Sequence, residues 1–138
     1  MDAKRTDRLI DIENAFDKSI HYVLHLLKAR VSDDEESLVE VEHLDRILRL
    51  CPVREKIMRC SEKIWRAREH IIAQNADYFL NRKYDEYIKR DANQEFIENI
   101  VRIVQQQYRT LSQREREILW QQANIMLKCV VDYRLNAA

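Results

Sequence analysis

The sequence predicts an all-α fold: a single domain, residues 1–138, built as a bundle of about five or six helices joined by short loops. Three observations carry this expectation. The 138 residues include no glycine and one proline, Pro52, so tight hairpins that need a residue at positive φ are missing and little interrupts a helix. Apolar side chains recur at steps of three and four along most of the chain, the period of one helical face. Charged residues make up 35 % beside 46 % apolar ones, the balance of amphipathic helices with densely charged outer faces. A chain of this length buries roughly two thirds of the surface its unfolded form exposes, enough for one core.

The elements follow in order. Leu9, Ile12, Phe16, Ile20, Val23 and Leu27 form one apolar stripe of a helix over about residues 6–30. Ser32-Asp33-Asp34-Glu35 reads as a capping box, with acids where the helix dipole favours them. The second helix carries Leu38, Val41, Leu44 and Ile47 or Leu48, and ends near Cys51. Pro52 suits a first helical turn better than an interior, so a third helix starts there, the alternative being a kink in one long helix. Val53, Ile57, Cys60, Ile64, Ala67 and Ile71 are its inward face, to about Gln74. The stretch from Asn75 to Arg90 is less regular, with turn formers among Tyr78, Phe79, Tyr84 and Tyr87, and suits one or two short helices over the core. Asp91 or Asn93 caps a further helix with Phe96, Ile97, Ile100, Val104, Tyr108 and Leu111 inward. A second capping box, Ser112-Gln113-Arg114-Glu115, opens the last helix, whose inward residues are Ile118, Leu119, Gln122, Ile125, Met126, Cys129 and Tyr133, and which Asn136 ends.

Composition also bounds function. Without glycine there is no phosphate-cradling loop, dinucleotide fingerprint or nucleophile elbow, since each needs backbone at close approach or positive φ. Lys+Arg and Asp+Glu both number 24, so no global positive field draws in nucleic acid or an anionic membrane. Zero net charge favours association, and a homo-oligomer is among the expectations. Cys51, Cys60 and Cys129 are odd in number and widely spaced, unlike a disulfide framework or a zinc site. Each sits on an apolar stripe and is expected to be a reduced core residue, a bridge from one of them to a second chain being the sharper alternative. The start, Met1-Asp2-Ala3-Lys4, has no apolar signal region. The longest apolar run falls far short of the ~20 residues that cross a bilayer. The expectation is an intracellular protein with no membrane span.

Candidates for chemistry are few. His21 and His25 stand four apart on one helix face, a ligand spacing, and Glu40 with His43 makes one Glu-x-x-His, half of what a di-iron bundle repeats. The second copy is missing, since Ala67 precedes His70 by three, and no metal or other cofactor is expected. Cysteines on apolar stripes would be inert thiols, and Ser32 and Ser112 are committed to capping, so no enzyme activity is expected. Leu111-Ser112-Gln113-Arg114-Glu115-Arg116-Glu117-Ile118-Leu119 resembles the opening of the helix-turn-helix domain of response-regulator and sigma-type transcription factors. A turn and a recognition helix should follow there, whereas Trp120 to Leu127 continues one helix.

Binding features are stronger. Asp33, Asp34, Glu35, Glu36, Glu40, Glu42 and Asp45 make an acidic segment without Lys or Arg. Lys56, Arg59, Lys63 and Arg66 make a basic stripe at steps of three, four and three, with Glu55, Glu62 and Glu69 on the other flank. The bland reading is a solvated face of ion pairs, each contributing about 0–1 kcal/mol. The sharper one is that these faces orient a partner protein, with nucleic-acid binding through the basic stripe in third place. Trp65 and Trp120 are core or interface anchors. Tyr78, Phe79, Tyr84 and Tyr87 cluster in an irregular region, and aromatic residues are over-represented at binding hot spots. The candidate partner-binding residues are therefore Lys56, Arg59, Lys63, Arg66, Tyr78, Phe79, Tyr84 and Tyr87.

One resemblance suggests a setting. Val53-Arg54-Glu55-Lys56-Ile57 through Ile64-Trp65-Arg66-Ala67-Arg68-Glu69-His70-Ile71-Ile72, then Tyr78-Phe79-Leu80-Asn81-Arg82-Lys83-Tyr84 and Asn93-Gln94-Glu95-Phe96-Ile97-Glu98, resemble small helical proteins of nucleocytoplasmic large DNA viruses such as iridoviruses. The resemblance covers about residues 50–135. It implies a virion or virus-factory protein, and as leading function a minor capsid or capsid-associated component packed against larger shell proteins. A regulatory adaptor binding one host or viral protein is the runner-up.

Overall fold

The computed structural model describes residues 3–81 and 94–137, and within them the fold is all-α. Seven helices are present among the described residues: α1 Ala3–Arg30, α2 Glu35–Leu50, α3 Val53–Arg66, α4 Arg68–Ile72, α5 Ala76–Asn81, α6 Gln94–Thr110 and α7 Gln113–Ala137. The expected caps Asp91 and Asn93 and the stretch from Arg82 to Arg90 lie outside the described residues.

The count exceeds five or six because the expected third helix breaks. Ala67 leaves helical geometry at φ −90° and ψ 4°, between α3 and α4. It is buried against Leu127 of α7 and Ile71, so the break turns α4 onto α7. The C-terminus of α4 is a Schellman motif. Asn75 N–H donates to His70 O at 2.9 Å and Gln74 N–H to Ile71 O at 3.1 Å. Gln74 takes the left-handed conformation, φ 52°, where glycine usually sits and this chain has none.

Of two other boundaries, the first corrects the expectation and the second bears it out. The cap of α2 is Asp34, whose carboxylate accepts from Ser37 N at 3.3 Å, two residues beyond the expected Ser32. Ser32 Oγ instead donates to Ala29 O, closing off α1. Pro52 is the N-cap of α3, with an extended ψ of 141°, so α2 and α3 are separate helices. Both nevertheless run along α1 in the same direction. Lys28 of α1 meets Asp45 of α2, while Asp17 of α1 meets Lys56 of α3. At 1.5 Å per residue, the 28-residue α1 spans about 42 Å, close to α2 and α3 end to end.

The core has three centres. Ile12 and Phe16 of α1, Ile57 of α3 and Cys129 and Val130 of α7 form the main one. Val31, Val41 and Ile103 join the far end of α1 to α2 and α6. Ala67, Ile71 and Leu127 join α4 to α7. Ser19 is buried between α1 and α7 and donates to Gln122 Oε1 at 2.7 Å, which explains a polar residue on each inner face. Among the described side chains of α6 the buried one is Ile103, whereas Val104 is partly exposed; those of the expected Phe96, Ile97 and Ile100 lie outside the described ones. On α7 the buried set is Trp120, Leu127, Cys129 and Val130, and Ile125 faces out. α7 packs on α1, α3 and α4, so its buried residues spread over about half its circumference, wider than a one-sided stripe.

The α6–α7 turn is held from α1. Arg30 donates to Thr110 O and pairs with Glu115 at 3.6 Å. The expected capping box forms here: Glu115 N–H donates to Ser112 Oγ at 3.2 Å and Ser112 N–H to Glu115 Oε1 at 3.0 Å. α7 then runs unbroken to Ala137, so no turn or recognition helix follows the helix-turn-helix-like opening.

Candidate functional site

The eight candidate partner-binding residues do not form one surface. Lys56 is the main departure: its side chain is 3 % exposed and its ammonium donates to Asp17 of α1, with His21 Nε2 at 3.5 Å. Directly before Ile57, the centre of the α3 contact, and buried like it, Lys56 cannot belong to an outer basic stripe. Arg59, Lys63 and Arg66 are exposed, with Arg59 paired to Glu55 at 3.5 Å and Arg66 to Glu62 at 2.9 Å. Tyr84 and Tyr87 lie outside the described residues. Tyr78 and Phe79 are half-buried on α5.

Lys56 belongs to a charge cluster contributed by α1, α2 and α3. His21 lies between Asp17, 3.3 Å away, and Asp45, 3.6 Å away. Asp45 also accepts from Lys28 Nζ at 3.0 Å and Arg49 Nε at 3.2 Å. Burial raises the Asp45 carboxyl, but the hydrogen bonds and charges of Lys28 and Arg49 outweigh it and hold the group below its ordinary range. The Asp17–His21 step of four was the available signal for this cluster; attention to His21 and His25 as a ligand pair passed it by. His25 is exposed, and no group of three or more ligating side chains converges among the described residues.

The thiols are free. Burial pushes Cys60 and Cys129 up from the ordinary thiol range, which disfavours the nucleophilic thiolate. Cys51 departs from the expected stripe position: it caps the end of α2, its N–H donating to Ile47 O and its thiol to Glu55 at 3.9 Å.

Tyr78 and Phe79 lead to the other site. His70 stacks on Tyr78 with centroids 3.6 Å apart, Tyr78 meets Phe79 edge-on at 5.0 Å, and Phe79 tilts toward Trp120 at 5.9 Å. Trp120 in turn donates its indole N–H to the Tyr108 hydroxyl at 3.0 Å. Phe79, Trp120 and Tyr108 of this aromatic run form a wall of an apolar cleft of about 380 Å³. Ile64 and Ile71 line it from α3 and α4, Phe79 and Leu80 from α5. Val104 and Tyr108 face them from α6, and Leu119, Trp120 and Met126 from α7. Gln105 adds a carboxamide whose N–H donates to Phe79 O at 3.2 Å, tying α6 to α5.

Three features build the cleft. Asn75 caps α5, its side chain accepting from Tyr78 N at 3.3 Å, which turns Phe79 toward α7. The left-handed Gln74 sets the angle between α4 and α5. Arg116 donates to Tyr108 O and Arg109 O, fixing where α6 ends. Sealed and empty, an apolar void of this volume would cost up to about 9 kcal/mol at roughly 24 cal/mol per Å³. That rivals the ~5–15 kcal/mol that holds a whole domain folded. The expected inward positions Val104, Tyr108, Leu119 and Met126 were legible singly. Their convergence with Ile64 and Phe79 was not, because the cleft joins segments distant in sequence.

No protein-family model, curated protein or solved structure matches the chain.

Proposed function

We propose that the protein is a non-catalytic structural component that binds other proteins through its helical faces. The observation that carries this reading is the outer face of α2. Val39, Ile47 and Leu50 are 64 %, 41 % and 80 % exposed. At 100° per residue they fall within a sector of about 80°. On the opposite face Val41 is fully buried. Single surface hydrophobics are ordinary, but three of them in one sector, with the exposed Glu36 and His43 among them, on a helix already packed on its other side are the kind of surface a partner covers. The exposed Glu35 and Glu42 lie toward one end of this face, and Arg46 and Arg49 toward the other. That polarity would set the orientation of what docks. The burial that keeps Cys60 and Cys129 from the thiolate form, and a charge cluster occupied by its own ion pairs, fit a molecule that makes contacts and carries out no reaction.

The resemblance of residues 53–72, 78–84 and 93–98 to helical proteins of large DNA viruses favours a virion setting, as a minor capsid or capsid-associated protein beside larger shell proteins. Enclosure of Lys56 takes the first member from the basic stripe and weighs against a nucleic-acid role. The test is mass spectrometry of purified particles, with a Val39→Asp, Leu50→Asp variant compared to the parent chain. Fixed stoichiometry with a shell protein, lost in the variant while its helix content stays constant, is expected. Absence from particles together with recovery of a single soluble partner would replace this reading with the adaptor.

A further inference from the structure

We infer that the cleft between α4–α5 and α6–α7 is a binding site for a small neutral lipid-like molecule, a hydrocarbon body carrying one hydroxyl or carbonyl group. Three observations on the cleft lead there, none of which uses the α2 face. Its volume, about 380 Å³, falls in the range of ligand pockets and exceeds one side chain. Its walls are aliphatic and aromatic, so water gains few partners inside and apolar matter is the favoured filling. Its polar groups are two and neutral. The Tyr108 hydroxyl already accepts the Trp120 indole N–H, which leaves its own hydrogen to donate. The Gln105 carboxamide gives its N–H to Phe79 O, which leaves its carbonyl oxygen to accept. One donor and one acceptor match an alcohol, and the donor alone matches a ketone or aldehyde. No Lys, Arg or His is among the residues that line the cleft, so a carboxylate would enter without a counter-charge and be disfavoured.

The chain reports on its own occupancy through the Trp120 indole N–H, which stands in the cleft wall. In a ¹H–¹⁵N spectrum of the full chain titrated with 1-decanol, the Trp120 indole resonance should move saturably, while that of Trp65, outside the lining, stays. Decanoate at pH 8 should bind at least tenfold more weakly. Ala123→Phe, which fills the cleft from α7, should abolish the shift with the melting temperature unchanged or raised. Should that variant fail to fold, Tyr108→Phe serves instead: removal of the donor should weaken decanol about fivefold to tenfold. The inference falls if Trp120 does not respond, if both indoles move in parallel, if decanoate binds as well as decanol, or if the filled cleft binds decanol like the parent. Each of these results leaves the particle experiment untouched, and loss of particle association leaves the decanol titration untouched.

Discussion

Gln74 shows how composition reaches into a single backbone angle. A left-handed residue at the end of α4 lets the chain turn into α5 and orient Phe79, and a side chain there costs about 1 kcal/mol or more relative to glycine. Gln74→Gly should therefore raise stability by about 1 kcal/mol, read as a higher urea midpoint with unchanged slope; a lower midpoint would contradict the Schellman assignment. Lys56 tests the opposite situation, a charge held inside. Lys56→Ala takes the ammonium from Asp17 and should cost about 2–3 kcal/mol, below the ~3–5 kcal/mol for breaking a fully buried pair because Asp17 keeps His21 beside it and some solvent contact. Lys56→Met keeps the packing of the stem and should cost less. Equal losses in thermal unfolding would mean that the stem's packing contributes nothing.

At the scale of elements, the ends of helices matter as much as their faces. The Ser112–Glu115 box starts α7, and Glu115 also meets Arg30, so one cap fixes the register of α1 against the α6–α7 turn. Ser112→Ala should lower the melting temperature by about 3 °C, the equivalent of a typical lost cap, with the far-ultraviolet helix signal unchanged at 20 °C. Loss of helix signal at that temperature would mean that the turn, and not the cap alone, depends on Ser112. Both apolar alternation and capping chemistry made α7 legible as one helix. Its buried set was not legible, because a helix contacted by α1, α3 and α4 buries Trp120 and Cys129 on opposite sides.

Across the whole molecule, carboxylates lowered in the folded state set the response to acid. Asp45 is lowered despite its burial, through Lys28 and Arg49. Asp34 is lowered by hydrogen bonds from Ser37, and Glu115 by backbone and side-chain hydrogen bonds from Ser112. A depressed folded value means that the stabilisation is present above the ordinary values of 3.8 and 4.5 and is lost as pH falls through the folded values. The melting temperature should therefore decline steadily from about pH 4.5 downward, and less steeply in Asp45→Asn than in the parent. A parallel decline in the two proteins would show that Asp45 carries none of it. The outer face of α2 and the cleft belong to this scale too, since each depends on what the other helices leave uncovered.

What the amino acids determined on their own was the type of every strongly periodic element. Zero glycine and one proline left helices as the economical solution, and local rules of capping and spacing act within four residues, so α1, α2, the Pro52 boundary and the Ser112 cap could be read directly. The packing of helices decided the rest. Lys56 looked like a surface base because a stripe of charges three and four apart says nothing about which side faces a neighbour; only the position of Asp17 on α1 drew it inside. Ala67 carried no breaker signal, and the break there follows from the contact with Leu127. The cleft arises where two stretches apart in sequence, residues 64–80 and 104–126, meet without filling the space between them. Long-range geometry of that kind is set by the sum of many contacts, and no local pattern encodes it.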